Sequence, residues 1–242
     1  MARHPLTVLT ALTALAVLEP PRPAAAGPCA VPLMVPTVFT PAGTAIPKDG
    51  GVVVLDEPGG GDLATHGAPS KWQFVHGARR MTAKISVVAP GLAVLAGTGR
   101  ELHDAHDKPL VALGVGQEAP LAAPEVTAVT YRAVSGRRGT AVGVQAVFAA
   151  PPPPDRVLVV VDADGTTGRS WGVPSGGPER YVTVFASGSC TVQPTGTRVS
   201  ALGDEVRLRW VDNAGRVSPP SKPIKVTAAP DSGGPGVAAP QP

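Results

Sequence analysis

The sequence predicts an all-β protein: two β-sandwich modules in tandem after a signal peptide. Three observations carry that expectation. The 242-residue chain holds 29 Gly and 29 Pro. Both oppose long helices, Gly by roughly 1 kcal/mol and Pro by roughly 3 kcal/mol at an interior helix position. Beyond residue 26, short apolar or alternating runs recur between turn residues, and no segment keeps a helical period. Finally, the proline-containing stretch Gly116–Pro124 divides those runs into two similar groups.

The N-terminus reads as a signal peptide over residues 1–26. Arg3 and His4 are followed by the uncharged run Leu6–Leu18 and by the small residues Ala24, Ala25 and Ala26. Cleavage after Ala26 leaves 216 residues, Gly27–Pro242. The run of 13 residues is shorter than the ~20 that span a bilayer, and no later stretch reaches that length. The expectation is an exported protein, periplasmic or extracellular, without a membrane span. Pro28 directly before Cys29 spoils a lipid-attachment box. Cys29 and Cys190 are the two cysteines, and in an oxidising compartment an even count points to one bridge, with two free thiols as the other reading. The bridge would close a loop of about 160 residues, stabilising by roughly 5 kcal/mol in chain-entropy terms. The spacing excludes a CxxC redox pair and a cysteine-based zinc site.

The first module is placed at 27–118. Its strand candidates are Leu33–Phe39, Val52–Leu55, Trp72–Val75, the nearly alternating Met81–Val88, Leu92–Ala96 and Leu110–Val115. Residues 119–124 read as a linker. The second module, 125–228, offers Val126–Val134, Ala141–Phe148, Val157–Val161, Tyr181–Ala186, Val206–Val211 and Val217–Val226. Asp212-Asn-Ala-Gly215 reads as a hairpin turn with Gly at a positive φ. Residues 229–242, rich in Pro, Gly and Ala, read as a disordered tail.

Two stretches resemble a known family. Pro41-Ala-Gly-Thr-Ala-Ile-Pro47 running into Val52-Val-Val54 looks like the opening of a bacterial immunoglobulin-like module. Val206-Arg-Leu-Arg-Trp-Val-Asp-Asn-Ala-Gly-Arg-Val-Ser218 looks like the closing hairpin of immunoglobulin-like or fibronectin-III-like modules. The match covers about 27 residues. The paired cysteines of true immunoglobulin domains are missing, since neither half holds two Cys. The resemblance implies a β-sandwich with a binding or spacer role. It carries over no functional residue.

The charge is modest. Net +3 comes from 21 Lys+Arg and 18 Asp+Glu, and no basic run interleaved with aromatics appears, which argues against nucleic acid. Arg137-Arg138 reads as a solvated turn. His103-Asp-Ala-His-Asp107 is the densest group of potential metal ligands, although its position before Lys108-Pro109 suggests a polar loop. Asp162-Ala-Asp-Gly-Thr166 lacks the Gly and Glu spacing of a calcium loop and reads as a turn. Gly168-Arg-Ser-Trp-Gly172 fits a nucleophile elbow only in letters, because every His precedes Ser170. Pro230-Asp-Ser-Gly-Gly-Pro235 resembles a serine-protease motif, but Pro230 has no N–H for an oxyanion hole. Gly114-Val-Gly-Gln-Glu-Ala119 lacks the helix that a dinucleotide fingerprint requires.

Trp72, Trp171 and Trp210 could line a sugar-binding face. Trp171, in a Gly/Pro-flanked segment, is the best placed of them, against a competing core role. The leading expectation is a non-catalytic envelope or secreted protein that binds or spaces an envelope or extracellular protein or glycan, with no cofactor, metal or catalytic residue. The alternatives are a metal-dependent hydrolase using His103 and His106, and a carbohydrate-binding module centred on Trp171.

Overall fold

Turn-forming Gly and Pro and β-branched runs produce an almost purely β architecture. The computed structural model describes residues 36–56, 69–117, 119–136, 139–186 and 200–229. The signal segment, both cysteines, Arg137-Arg138 and the tail motif at 230–235 lie outside them. Among the described residues the helical content is one 3-10 turn, Pro69–Lys71.

Among the described residues the first half supplies ten strands: β1 (Thr37–Val38), β2 (Ala45–Ile46), β3 (Val52–Leu55), β4 (Gln73–His76), β5 (Arg79–Thr82), β6 (Lys84–Ala89), β7 (Leu92–Ala96), β8 (Glu101–His103), β9 (Pro109–Ala112) and β10 (Gly114–Val115). They form the sheets β1-β3-β7-β6 and β5-β4-β8-β9, with β10 lying parallel to β2. Val52, Val54 and Leu95 from one sheet pack with Phe74, Leu102 and Val111 from the other, and Trp72 joins them.

The second half supplies β11 (Val126–Gly136), β12 (Gly139–Phe148), β13 (Arg156–Val161), β14 (Gly168–Gly172), β15 (Tyr181–Ala186), β16 (Glu205–Asp212) and β17 (Ile224–Ala228). Their order is β14-β13-β16-β17-β11-β12-β15, with β17 parallel to β11. The sheet folds over itself around Leu158, Val160, Leu208 and Trp210 on one side and Val129, Val144, Ala146, Val182 and Val184 on the other. Trp210 stacks on Phe148 with ring centroids 5.4 Å apart, a separation at which aromatic pairs add to simple burial.

Five expected elements differ. Leu110–Val115 divides into β9, which pairs with β8, and β10, which pairs with β2. Met81–Val88 is not one strand: β5 pairs with β4 and β6 with β7, so the chain changes sheets at buried Ala83, whose N–H donates to the Trp72 carbonyl at 3.0 Å. His103 is on strand β8 rather than in a loop, because Leu102 fills the core and draws its neighbours into the ladder. Trp171 is likewise on a strand, β14. Val217–Val226 is not one strand: Val217 makes a single bridge to Val211 and the ladder resumes only at β17, since Pro219, Pro220 and Pro223 lack donors. There Ser218 Oγ accepts from Trp210 N (2.9 Å) and Ser221 Oγ from Leu208 N (3.0 Å), so two hydroxyls replace the missing ladder bonds.

The halves also share a core. Val53, Leu92 and Val94 of the first pack against Val157, Val159, Val161, Trp171 and Val211 of the second. Gly51 N donates to Ala214 O at 2.8 Å, and Thr40 Oγ1 donates to Asn213 O at 2.7 Å while accepting from Val53 N at 2.8 Å. The approach is close enough to require glycine. A Cβ on Gly168 would overlap the Val88 carbonyl oxygen, and one on Gly215 would overlap the Gly51 backbone. Gly215 also sits at φ 74° in the expected hairpin turn. Leu121, within 119–124, is buried in the second core, and Arg216 Nη1 holds the Ala119 carbonyl at 2.8 Å.

Candidate functional site

The sheet β5-β4-β8-β9 turns Phe74 and Leu102 inward, so the alternation of a strand sends Val75, Glu101 and His103 to its outer face. Arg80 stands opposite Val75 on the same face. The β8–β9 turn folds Asp107 back toward this row. Asp104 shapes that turn: its Oδ1 accepts from His106 N (2.8 Å) and Lys108 N (2.9 Å). Those bonds to backbone donors hold the Asp104 carboxyl below its ordinary value, Lys108 contributing most. Asp107 itself adopts φ 64°, unusual for a residue with a side chain.

The result is an alternating chain of charge. His103 Nε2 meets Glu101 Oε2 at 2.7 Å, and Nδ1 meets Asp107 Oδ1 at 2.8 Å and the Asp107 carbonyl at 3.1 Å. Arg80 Nη2 donates to Asp107 Oδ2 at 2.8 Å, and Nη1 donates to Oδ1. Donation from both ring nitrogens requires the imidazolium form. The Glu101 carboxylate accordingly raises the His103 pKa, burial opposes it, and Asp107 adds to the rise. Asp107 is held below the ordinary carboxylate value, chiefly by Arg80 and then by His103.

This arrangement bears on metal chemistry. A metal needs a neutral imidazole with a free lone pair, whereas both His103 nitrogens face carboxylates. His106 does not join it, and its backbone N–H serves the Asp104 turn. Among the described residues no group of three or more His, Cys, Asp or Glu is placed to hold a metal ion. Chemically the cluster is a latch of ion pairs that ties the β8–β9 turn to β5 and β8.

The other candidates resolve as follows. Trp171 is 7% exposed, packs in the core shared by the halves, and donates from Nε1 to Pro90 O at 2.9 Å. Trp72 and Trp210 are buried as well. Asp162 opens a turn closed by Gly165 N donating to its carbonyl at 2.7 Å, and its carboxylate is engaged by buried Arg169. Asp164 accepts from Thr166 N at 2.9 Å, which lowers its pKa. Ser170 lies mid-strand, opposite Val160, with no elbow geometry. Gly114-Val115 is strand β10, without a helix after it among the described residues.

Sequence reading grouped His103 with Asp107 but missed Glu101 and Arg80. Arg80 is 27 residues away from Asp107, and only the strand order brings them together. No family model, curated protein or solved structure matches the chain. Among the described residues, no helix is long and apolar enough to cross a membrane.

Proposed function

We propose that this chain is an exported, non-catalytic binding and spacer protein made of two immunoglobulin-like sandwiches locked into one rigid body. The observation that carries the reading is the shared core. Strands β3 and β13 are apolar on both faces because each serves its own half and the junction at once. A junction of this kind suits a protein that must hold its surfaces at a fixed spacing.

The strand orders support the immunoglobulin-like part. Read as A-B-E-D over C′-C-F-G, the first half's sheets β1-β3-β7-β6 and β5-β4-β8-β9 follow the order of that sandwich. The second half's β11-β12-β15 and β14-β13-β16-β17 follow it too, and each half adds a parallel pairing of its last strand with an early one, β10 with β2 and β17 with β11. The closed latch at His103 supports a non-catalytic role. Export rests on the signal-like residues 1–26.

Backbone relaxation measurements on the purified protein test rigidity. One rotational correlation time for both halves is expected, and two distinct times would overturn the locked pair. Residues 1–30 fused to a reporter that is active only after export should give an active reporter, and an inactive one would overturn the location. Capture from solubilised envelope and culture medium should return one reproducible protein or glycan partner; an empty capture counts against the binding role.

A further inference from the structure

The second half has a sheet face that the shared core leaves free. Val129, Val144, Ala146, Val182 and Val184 point into the core, so alternation turns the residues between them outward. The register then aligns Ala128, Val147 and Tyr181 in one outward row and Thr130, Gln145 and Thr183 in the next, Thr130 itself being buried, with Arg132 beyond them. Cross-strand neighbours on one face are close enough to act together.

The first row is an apolar strip ending in a tyrosine ring that is 44% exposed. The next is a fixed polar ladder. Arg132 places Nε (3.2 Å) and Nη2 (2.7 Å) on Gln145 Oε1, and Gln145 Nε2 reaches Thr183 Oγ1 at 3.5 Å. The arginine is unlike those at other sites. Arg80, Arg169 and Arg216 each pair with an aspartate, whereas Arg132 is positioned by a neutral amide. Strands β11, β12 and β15 contain no Asp or Glu at all. Among the described residues these three strands therefore present a positioned guanidinium with donors left over and no carboxylate of their own. That fork matches a carboxylate.

We propose that this face binds an acidic polysaccharide. The Tyr181 strip takes the apolar side of a sugar ring, and Arg132 takes a uronate carboxylate while Gln145 and Thr183 meet hydroxyls. Arg132 lies two register rows and two strands from Tyr181, a spacing that suits a glycan with sparse carboxylates, whereas a densely charged nucleic acid requires several phosphate contacts. The proposal rests on the reading of the chain as an exported binding protein.

The test uses the purified protein on immobilised polygalacturonate in about 0.15 M salt, where loose surface attraction is screened. Dextran and fully methyl-esterified polygalacturonate serve as controls. Retention is expected on polygalacturonate alone. Arg132→Lys keeps the charge but loses the fork, and Tyr181→Ala loses the ring; each should weaken retention about tenfold. Lys222→Ala, which removes a positive charge at another exposed position, should leave it unchanged. Absent retention, equal retention on the esterified polymer, or an equal loss in Lys222→Ala would overturn the site. A thermal melt of each variant separates lost binding from lost fold. Failure here with one correlation time intact removes the glycan site and leaves the rigid spacer standing.

Discussion

The sheet β5-β4-β8-β9 of the first half and the strands β14-β13-β16 of the second occupy the same place in their strand orders, yet their outer faces meet opposite surroundings. In the first, Arg80, Glu101 and Asp107 meet solvent and close a charged latch over buried His103. In the second, Val157, Val159, Val161 and Trp171 are covered by Val53, Leu92 and Val94. The difference is written in the strands. Gln73-Phe-Val-His76 mixes polar and apolar residues, while Arg156-Val-Leu-Val-Val-Val161 is apolar after its first residue. An unbroken apolar run marks a strand covered on both faces. Val52-Val-Val54 says the same from the other side of the junction, with Val53 facing the second half.

The largest effect should come from removing what fills the covered face. Trp171→Ala deletes a buried indole and strands the Pro90 carbonyl. A loss of about 3–5 kcal/mol is expected, or roughly 6–20 °C in the melting temperature for a chain of this size. A shift under 2 °C would mean that the two outer faces are not energetically different. A milder rewriting is Val159→Thr, which gives β13 part of the alternation seen in exposed strands at nearly constant shape. Burying its hydroxyl in the shared core should cost about 1–3 kcal/mol in urea denaturation. Thr40→Val should cost about 1–2 kcal/mol, because the hydroxyl bonds to Asn213 O and Val53 N are lost together. The same substitution in the exposed row, Thr82→Val, should leave stability unchanged within about 0.5 kcal/mol.

These contrasts explain what was legible beforehand. The all-β class followed from Gly, Pro and the short runs, and strands β3, β7 and β15 have the expected bounds because each is a plain β-rich run between turns. Strands β8 and β14 escaped notice because Glu101-Leu-His103 and Gly168-Arg-Ser-Trp-Gly172 have little β propensity; their partners impose the conformation. The glycines of β14 looked like loop residues. Their real cause is close approach, to Val88 at Gly168 and to Thr183 at Gly172. The His103–Asp107 segment was visible as a dense titratable group, but its chemistry depends on Arg80, which arrives through the β4–β5 hairpin. The junction was legible in part, since the unbroken valine runs were there to see, but their partner across the interface was not.

The smallest expected effect lies at the latch, and its sign follows from the charges. The His103 pKa is raised above 6.5, chiefly by Glu101. Its contribution is therefore complete below pH 6.5 and is lost as pH rises through the higher folded value. The Asp107 pKa is lowered from 3.8, chiefly by Arg80, so its contribution is present above 3.8 and fades as pH falls through the lower folded value. The latch is fully charged between these limits. Ring-proton titration by NMR should place the His103 midpoint above 6.5, with amide exchange at 104–108 quickening across that midpoint while exchange in β13 stays unchanged. Asp107→Asn tolerates the left-handed backbone at this position while removing the charge. It should lower the His103 midpoint only in part, since Glu101 remains in contact. A midpoint at or below 6.5 would mean that the carboxylates do not hold the ring. Exchange in β13 that quickened together with the turn would mean that the exposed face and the covered face respond as one unit.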